Sequence, residues 1–156
     1  MHGSDIFRRV GMAKIAALAA AALLAIGSGR AADNEGERIM QMEINGNAVS
    51  VVWENNPAVA ALRRKVAARP VTVRMSMYGG FEQVGELGFS LPREDVQTRT
   101  VPGDIVLYSG DQIVVFYGSN SWAYTRLGRI SDKNREELAE LLSRGDAELT
   151  IRSSGK

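Results

Sequence analysis

The chain contains no cysteine, and its single histidine is His2. The lack of cysteine excludes disulfides, thiolate zinc sites and cysteine nucleophiles. If His2 is removed with an N-terminal leader, Ser-His pairs and His-ligated metals are excluded as well. Chemistry in the folded part therefore has to come from carboxylates, amides, hydroxyls, arginines and aromatic rings. We predict no cofactor and no metal site.

The first 31 residues have the order of a secretory signal peptide. Arg8, Arg9 and Lys14 give a basic start, residues 15–26 are 12 consecutive apolar residues, and small residues lead to Ala31. A membrane-spanning helix needs about 20 apolar residues, which favours cleavage after Ala31 over an uncleaved anchor. We therefore expect export to the periplasm or the extracellular space. Both the general and the twin-arginine export routes stay open.

Removal of this leader changes the charge of the chain. Lys and Arg fall from 19 to 15 and Asp and Glu from 18 to 17, so the formal net charge changes from +1 to −2. The remaining chain has no basic block that could follow a nucleic-acid backbone. We expect a polar tether at 32–38, a folded domain at 39–152, no nucleic-acid partner and, after cleavage, no membrane attachment.

Turn and cap signals divide the domain into short elements. Asn45 and Gly46 join two apolar runs and predict a hairpin with strands near 38–44 and 47–54. Asn56 and Pro57 predict the start of a helix near 57–67. A second helix is expected over 132–144, with its cap at Ser131 or Asp132.

The rest of the domain has the pattern of strands. Alternation predicts a strand at 71–78, and further strands are expected within 103–118 on either side of a turn at 109–111, at 122–130 and at 147–152. Residues 85–92 indicate a weaker strand or bulge, and residues 93–100 a polar loop. Seven or eight strands with two short helices favour an all-β sandwich or barrel.

The glycines at 79, 80 and 85 raise the question of a phosphate-binding loop. Gly80 and Gly85 have the required spacing, but Glu86 occupies the place of the lysine, and a weak strand follows instead of a helix. A carboxylate would repel the phosphate. We predict instead that Gly79 and Gly80 form a corner of the sheet.

Aromatic and amide side chains near this corner are candidates for a ligand site. Tyr117, Trp122 and Tyr124 combine apolar faces with polar tips, and Asn120 and Arg126 add hydrogen-bond donors. Such a mixture suits an extended peptide or a small organic ligand, although alternate aromatic residues of a strand also pack cores.

Four further residues have two interpretations each. Glu82 and Glu86 share a strand face and could act as paired acids, but we favour two solvated glutamates. Met75 and Met77 share a face with Val73, and we favour a place in the core over a role in ligand binding.

Ordered motifs over roughly residues 40–152 resemble the bacterial cyclophilin-like family, small relatives of the cyclophilin prolyl isomerases. The motifs are "ENNPAVAAL", "MSMYGGFEQVGELGFSLP" and "PGDIVLYSGDQIVVFYGSNSWAYTRLGRI". The resemblance implies a closed eight-stranded β-barrel with a short helix at each open end.

True cyclophilins are similar in fewer positions. Their proline-glycine pair and the glycine-x-glutamine motif that follows it resemble stretches within residues 102–112. Their tryptophan resembles Trp122, and the glycine-containing stretch after it resembles residues 127–130. Their glycine-phenylalanine stretch resembles Gly80, Phe81 and Gln83. Ser76 holds the place of the catalytic arginine, Val114 that of a pocket phenylalanine, and the pocket histidine has no counterpart.

The resemblance leaves two functions to weigh. The first is binding of an extended peptide or small ligand near Gly79 and Gly80. The second is a weak or atypical prolyl isomerase. In it, Arg74, two residues before Ser76 on the same strand face, or Arg126 would polarise the X-Pro bond, and Gln83 would also be catalytic. The predicted ligand-binding residues are Tyr78, Phe81, Gln83, Tyr117, Asn120, Trp122, Tyr124 and Arg126.

Overall fold

The computed structural model describes residues 38–154. The predicted leader, residues 1–31, lies outside the described residues, as does the predicted tether up to residue 37. Within 38–154, no helix has the length and apolar character needed to cross a membrane. The elements in chain order are β1 (Met40–Ile44), β2 (Asn47–Val49), β3 (Val51–Trp53), α1 (Pro57–Ala68), β4 (Val71–Tyr78), β5 (Glu82–Glu86), β6 (Val96–Arg99), β7 (Asp104–Tyr108), β8 (Gln112–Phe116), β9 (Ser121–Ile130), α2 (Arg135–Leu142) and β10 (Ala147–Ser153).

The strands form a nearly closed antiparallel barrel, as the family resemblance implies. Their order around the sheet is β2, β1, β10, β4, β5, β8, β7, β9, β3, and β6 pairs with β9 outside this path. Strands β2 and β3 are separated by Ser50 alone, yet β2 pairs with β1 and β3 pairs with β9. Counted as one bent strand, they bring the two ends of the sheet together and give eight strands around the barrel.

Alternation along each strand divides the molecule into an interior core and an outer face. The main core is apolar and includes Ile105, Leu107, Ile113 and Val115, each 0% exposed, with side chains from both helices. The residues between them on β7 and β8 point the other way. Val106 and Val114 belong to a second, smaller apolar cluster on the outside of the barrel, together with Phe116 at the end of β8 and Tyr124 of β9, with Phe81 and Val84 against them.

Both helices start at an asparagine cap. The Asn56 side chain accepts a hydrogen bond from the Val59 amide at 2.9 Å, as the sequence predicts. The second cap differs from the prediction: Asn134 and Glu137 form a reciprocal capping box. Asp132 instead accepts a hydrogen bond from the Ser50 amide at 3.0 Å and so helps to hold the bend that closes the barrel.

Three local predictions were wrong. Strand β5 begins at Glu82, earlier than the weak strand expected at 85–92, because residues 82–86 pair fully with β8. The loop expected at 93–100 contains β6, which its pairing with β9 holds in place despite its polar sequence. Met77 is 43% exposed, because β4 leaves the core before its last two residues.

Glycines serve two different purposes around β5. Gly79 and Gly80 have φ angles of +61° and +74°, so they form the predicted corner between β4 and β5. Gly85 has no positive φ, but a Cβ there would lie 2.4 Å from Val73 Cγ1 and 2.6 Å from the Arg74 carbonyl oxygen. Its missing side chain lets β5 approach β4.

We predict that Gly85→Ala lowers the free energy of unfolding by roughly 2 kcal/mol or more, because the methyl group would displace the β4 backbone. Gly80→Ala meets no atom within 4 Å and should cost about 1 kcal/mol through its positive φ alone. Urea unfolding of both variants measures the difference. Equal losses would contradict the close-approach role of Gly85.

Candidate functional site

A pocket opens on the outer face of the barrel, beside the corner formed by Gly79 and Gly80. Its volume is about 460 Å³, which suits a small organic group. Tyr78 at the end of β4 is 66% exposed and Trp122 on β9 is 56% exposed, so both present aromatic surface to solvent. The lining residues are Tyr78, Glu82, Val84, Tyr108, Gln112, Val114, Asn120, Trp122 and Tyr124.

Part of the pocket wall belongs to the outer apolar cluster. Val84, Val114 and Tyr124 both line the pocket and pack in that cluster. The Tyr124 ring meets Phe116 and Tyr108 edge to face, with centroid distances of 5.8 and 6.3 Å. Such contacts fix ring positions, so the wall is preformed.

Asn120 orders the polar side of the pocket. Its backbone amide donates to Thr100 Oγ1 at 2.9 Å, and its carbonyl accepts from the Thr100 amide at 2.8 Å. The Asn120 Nδ2 donates to the Tyr124 hydroxyl at 2.9 Å. The hydroxyl oxygen thus accepts from Asn120, which leaves its own proton available to donate elsewhere.

Glu82 is the most unusual residue of the pocket. It is 6% exposed, and its Oε2 has no hydrogen-bond partner among residues 38–154. Burial raises the pKa of Glu82 to about 7, because an ionised carboxylate loses its hydration there. Burial and the nearby Glu82 also raise the pKa of Tyr124. The interpretation of Glu82 as a solvated surface residue was therefore wrong, whereas Glu86 is exposed as expected.

Four of the predicted ligand-binding residues, Tyr78, Asn120, Trp122 and Tyr124, meet in this pocket. Phe81 lies under the corner instead, with its ring 6.4 Å from that of Tyr78. Tyr117 packs against the main core and does not line the pocket.

Gln83 points into the barrel, away from the pocket. It is 0% exposed, and its Nε2 donates to the carbonyl oxygens of Leu142 and Gly145 at 2.7 Å each. These carbonyls lie at and just beyond the end of α2, where backbone acceptors need partners. The geometry makes Gln83 an anchor for α2, and a ligand on the outer face would not reach its amide.

Arg126 is held by acids outside the pocket. Its Nη2 donates to Asp104 Oδ1 at 3.0 Å, and its Nε lies 3.5 Å from Glu54. Arg129 Nε donates to the same Asp104 oxygen at 2.8 Å, and Asp104 Oδ2 accepts from the Val101 amide at 2.9 Å. Asp104 is buried with all its partners in place, so this network is structural.

Arg74 lies on the outer face of β4 and lines a neighbouring depression with Ser76 and Glu86. This depression and the pocket share Val84 and Gln112. Arg74 thus lies on the same outer face as the pocket. It makes no ion pair with any residue from 38 to 154 that would hold its guanidinium in one position.

Sequence reasoning missed Glu82 and Tyr108 as pocket residues. Alternation along β5 and β7 could have placed each of them on an outer face. The sequence does not show, however, that β8 lies between these two strands and so brings them to either side of Val114. Among the described residues, no group of three or more acidic or other metal-ligating side chains could hold a metal ion.

We predict that Glu82 makes the protein less stable as the pH rises. Its folded pKa lies above its unfolded value, so its contribution is fully present below about pH 4.5 and is lost as the pH rises through about 7. Between about pH 5 and about pH 8, the free energy of unfolding of wild type should fall by about 2 kcal/mol relative to Glu82→Gln. Urea unfolding at both pH values measures this.

Glu86→Gln is the matched control for this prediction, since it makes the same change on the same face of β5 at an exposed position. It leaves Glu82 in place, so the fall in stability between the two pH values should remain. A pH-independent difference between wild type and Glu82→Gln would show that Glu82 titrates normally in the folded protein.

Comparisons with known proteins agree with this architecture. The solution structure of a hypothetical protein from Archaeoglobus fulgidus superposes on this chain with a TM-score of 0.54. The match covers 75% of this chain and 95% of the archaeal chain. The two sequences are 16% identical, so the likeness shows a shared fold alone. No curated protein has a significantly similar sequence. The model of the cyclophilin-like family matches residues 42–152, more than two thirds of the chain, and the chain therefore belongs to the cyclophilin-like family.

Proposed function

We propose that this chain is a binding domain that holds a small organic ligand, or a side chain of an extended peptide, in the outer-face pocket. The proposal rests on the convergence of Tyr78, Asn120, Trp122 and Tyr124 in one preformed pocket of about 460 Å³. Exposed aromatic rings beside ordered polar groups are typical of sites that grip organic ligands. Export of the domain is part of the proposal and rests on the pattern of residues 1–31. N-terminal sequencing of secreted protein should find a start at Ala32.

Binding is favoured over catalysis because the pocket offers contacts but few reactive groups. Of its nine lining residues, Glu82 is the one with a carboxyl group, and no second acid lies with it as a partner for acid and base work. The amide of Asn120 is already used to position Tyr124. What remains is aromatic surface, one buried acid and a free hydroxyl proton, a combination that recognises a ligand.

We predict that Trp122→Ala weakens binding of a pocket ligand by about tenfold or more, because aromatic anchors such as Trp and Tyr carry much of the binding energy at a contact surface. Ligands would be found by screening small aromatic compounds and capped peptides against Trp fluorescence. These measurements use a Trp53→Phe background, because Trp53 is the other tryptophan of the chain and does not line the pocket. Trp122 is then the single reporter, and the Ala variant is measured by calorimetry.

Val52→Ala is the control for Trp122→Ala, because Val52 is 65% exposed and does not line the pocket. Its affinity should equal that of wild type. Ligands that bind Trp122→Ala as tightly as wild type would place the binding surface elsewhere.

Prolyl isomerisation is the second candidate, favoured by the position of Arg74 on the same outer face. Catalysis has to lower a barrier of about 20 kcal/mol, and a donor must be held to within about 0.5 Å. Arg74 has no ion-pair partner among residues 38–154 that would hold it so.

We predict that the purified domain gives little or no acceleration in a proline-isomerisation assay. Arg74→Ala and the exposed helix variant Arg64→Ala should both match wild type. Rapid turnover that Arg74→Ala removes and Arg64→Ala keeps would make the protein an isomerase and would reverse the order of the two candidates.

A further inference from the structure

Glu82 gives the pocket a chemical preference that its shape alone does not. Its carboxyl group lines the pocket, is nearly buried, and leaves Oε2 without a donor among the described residues. A buried carboxylate without a partner is costly, so a donor that arrives with a ligand would be bound strongly. No lysine, arginine or histidine is present among the residues that line the pocket in the described part of the chain.

The aromatic residues favour the same kind of donor. Tyr78, Tyr108, Trp122 and Tyr124 line the pocket together with the carboxyl group. The faces of aromatic rings carry negative charge density and attract organic cations, and this attraction is stronger where water is excluded. A carboxylate among four such rings is therefore suited to a cationic group on an apolar or aromatic body.

The charged groups on neighbouring strands do not satisfy Glu82. On β4, Tyr78 pairs with Glu82, and the cation Arg74 lies four residues earlier. On β8 the neighbour is Phe116, and beyond it on β7 lies Asp104, whose charge Arg126 and Arg129 already balance.

The strands that cover the pocket are neutral where they face it. Tyr124 of β9 pairs with Val96 of β6, and Trp122 pairs with Thr98. Arg99 of β6 pairs with Ser121, so alternation places it on the opposite face. A ligand cation would therefore meet Glu82 without a competing protein cation.

We propose that the pocket selects ligands that carry an ammonium group on an apolar or aromatic body, with Glu82 as the counter-ion and the rings of Tyr78 and Trp122 around the ligand. This inference rests on the proposed binding function and names its ligand class. The ammonium group could belong to a free amine or to a lysine side chain of a peptide, and the two sources share this recognition chemistry.

The ion pair requires ionised Glu82, which gives binding a defined dependence on pH. Burial raises the pKa of this carboxyl group to about 7 in the free protein. Below that pH, Glu82 must lose its proton before it pairs with the cation, whereas above it the carboxylate is already formed. Affinity for an amine should therefore rise about tenfold between about pH 6 and about pH 8, and binding near pH 6 should release about one proton.

Matched probes test the charge preference. Benzylamine and benzyl alcohol differ in the ammonium group, and capped lysine and capped norleucine make the same comparison in a peptide setting. Affinities would be measured by calorimetry near pH 6 and near pH 8, in buffers of different ionisation heat so that proton release is counted. We expect one amine of the two pairs, or both, to bind at least tenfold tighter than its neutral partner near pH 8, and the pair that responds identifies the source.

Glu82→Gln separates charge from shape in this experiment. It should remove the preference for the amine and its pH dependence, so that the amine and its neutral partner bind the variant with similar affinity. Glu86→Gln should retain both. Thermal unfolding of Glu82→Gln should show a protein at least as stable as wild type, since the variant removes a buried acid without a partner.

Equal binding of amine and neutral partner, a preference that survives in Glu82→Gln, or no binding of any of the four probes would overturn the inference. Tight binding of neutral carbonyl compounds that weakens as the pH rises would also overturn it, because Glu82 would then act as a protonated donor. The wider proposal of a binding pocket fails separately, when the fragment screen finds no ligand that depends on Trp122.

Discussion

The pairing of β5 between β4 and β8 is the constraint on which the rest of the structure depends. This register sends Gln83 and Gly85 into the barrel and Glu82 and Val84 to the outer face. The interior residues tie the end of α2 to the sheet and let β4 approach closely. The outer residues become part of the pocket wall. A shift of the register by one residue would exchange these roles, bury a glutamate inside the barrel and remove the anchor of α2.

Two buried acids show how the same side-chain chemistry serves different ends. Asp104 accepts hydrogen bonds from two arginines and a backbone amide, so its charge is compensated within the protein and the network joins β7 to β9. Glu82 of β5 pairs with Phe116 of β8, and its Oε2 has no such donor among residues 38–154. The protein thus uses one acid for stability and leaves the other with unused bonding capacity on an open pocket.

The sequence contained enough information for the barrel because its signals are local. Asn45 with Gly46 predicts a hairpin, and Asn56 with Pro57 predicts a helix start, from neighbours alone. Those elements stand where expected. The pocket needed more, because Glu82, Tyr108 and Trp122 come from three strands whose order is set by long-range pairing. Strand β6 was missed for the same reason, since its polar residues form a strand only against β9.

Phe81 and Gln83 show where motif resemblance reaches its limit. Both match a stretch of the cyclophilin pattern, yet Phe81 lies under the corner and Gln83 is an interior anchor. A matched residue type therefore reports a shared framework more reliably than a shared role. Trp122, by contrast, stands at the pocket with more than half of its surface exposed.

The separation of the pocket from the barrel interior bears on how this domain changes over evolutionary time. Tyr78, Tyr108 and Trp122 are exposed and pack outside the main core, so replacing them removes few of the contacts that keep the protein folded. Mutations at these positions would change the surface of the proposed ligand site at little cost to folding. In a chain built in this way, the outer face can change in sequence while the barrel that carries it stays constant.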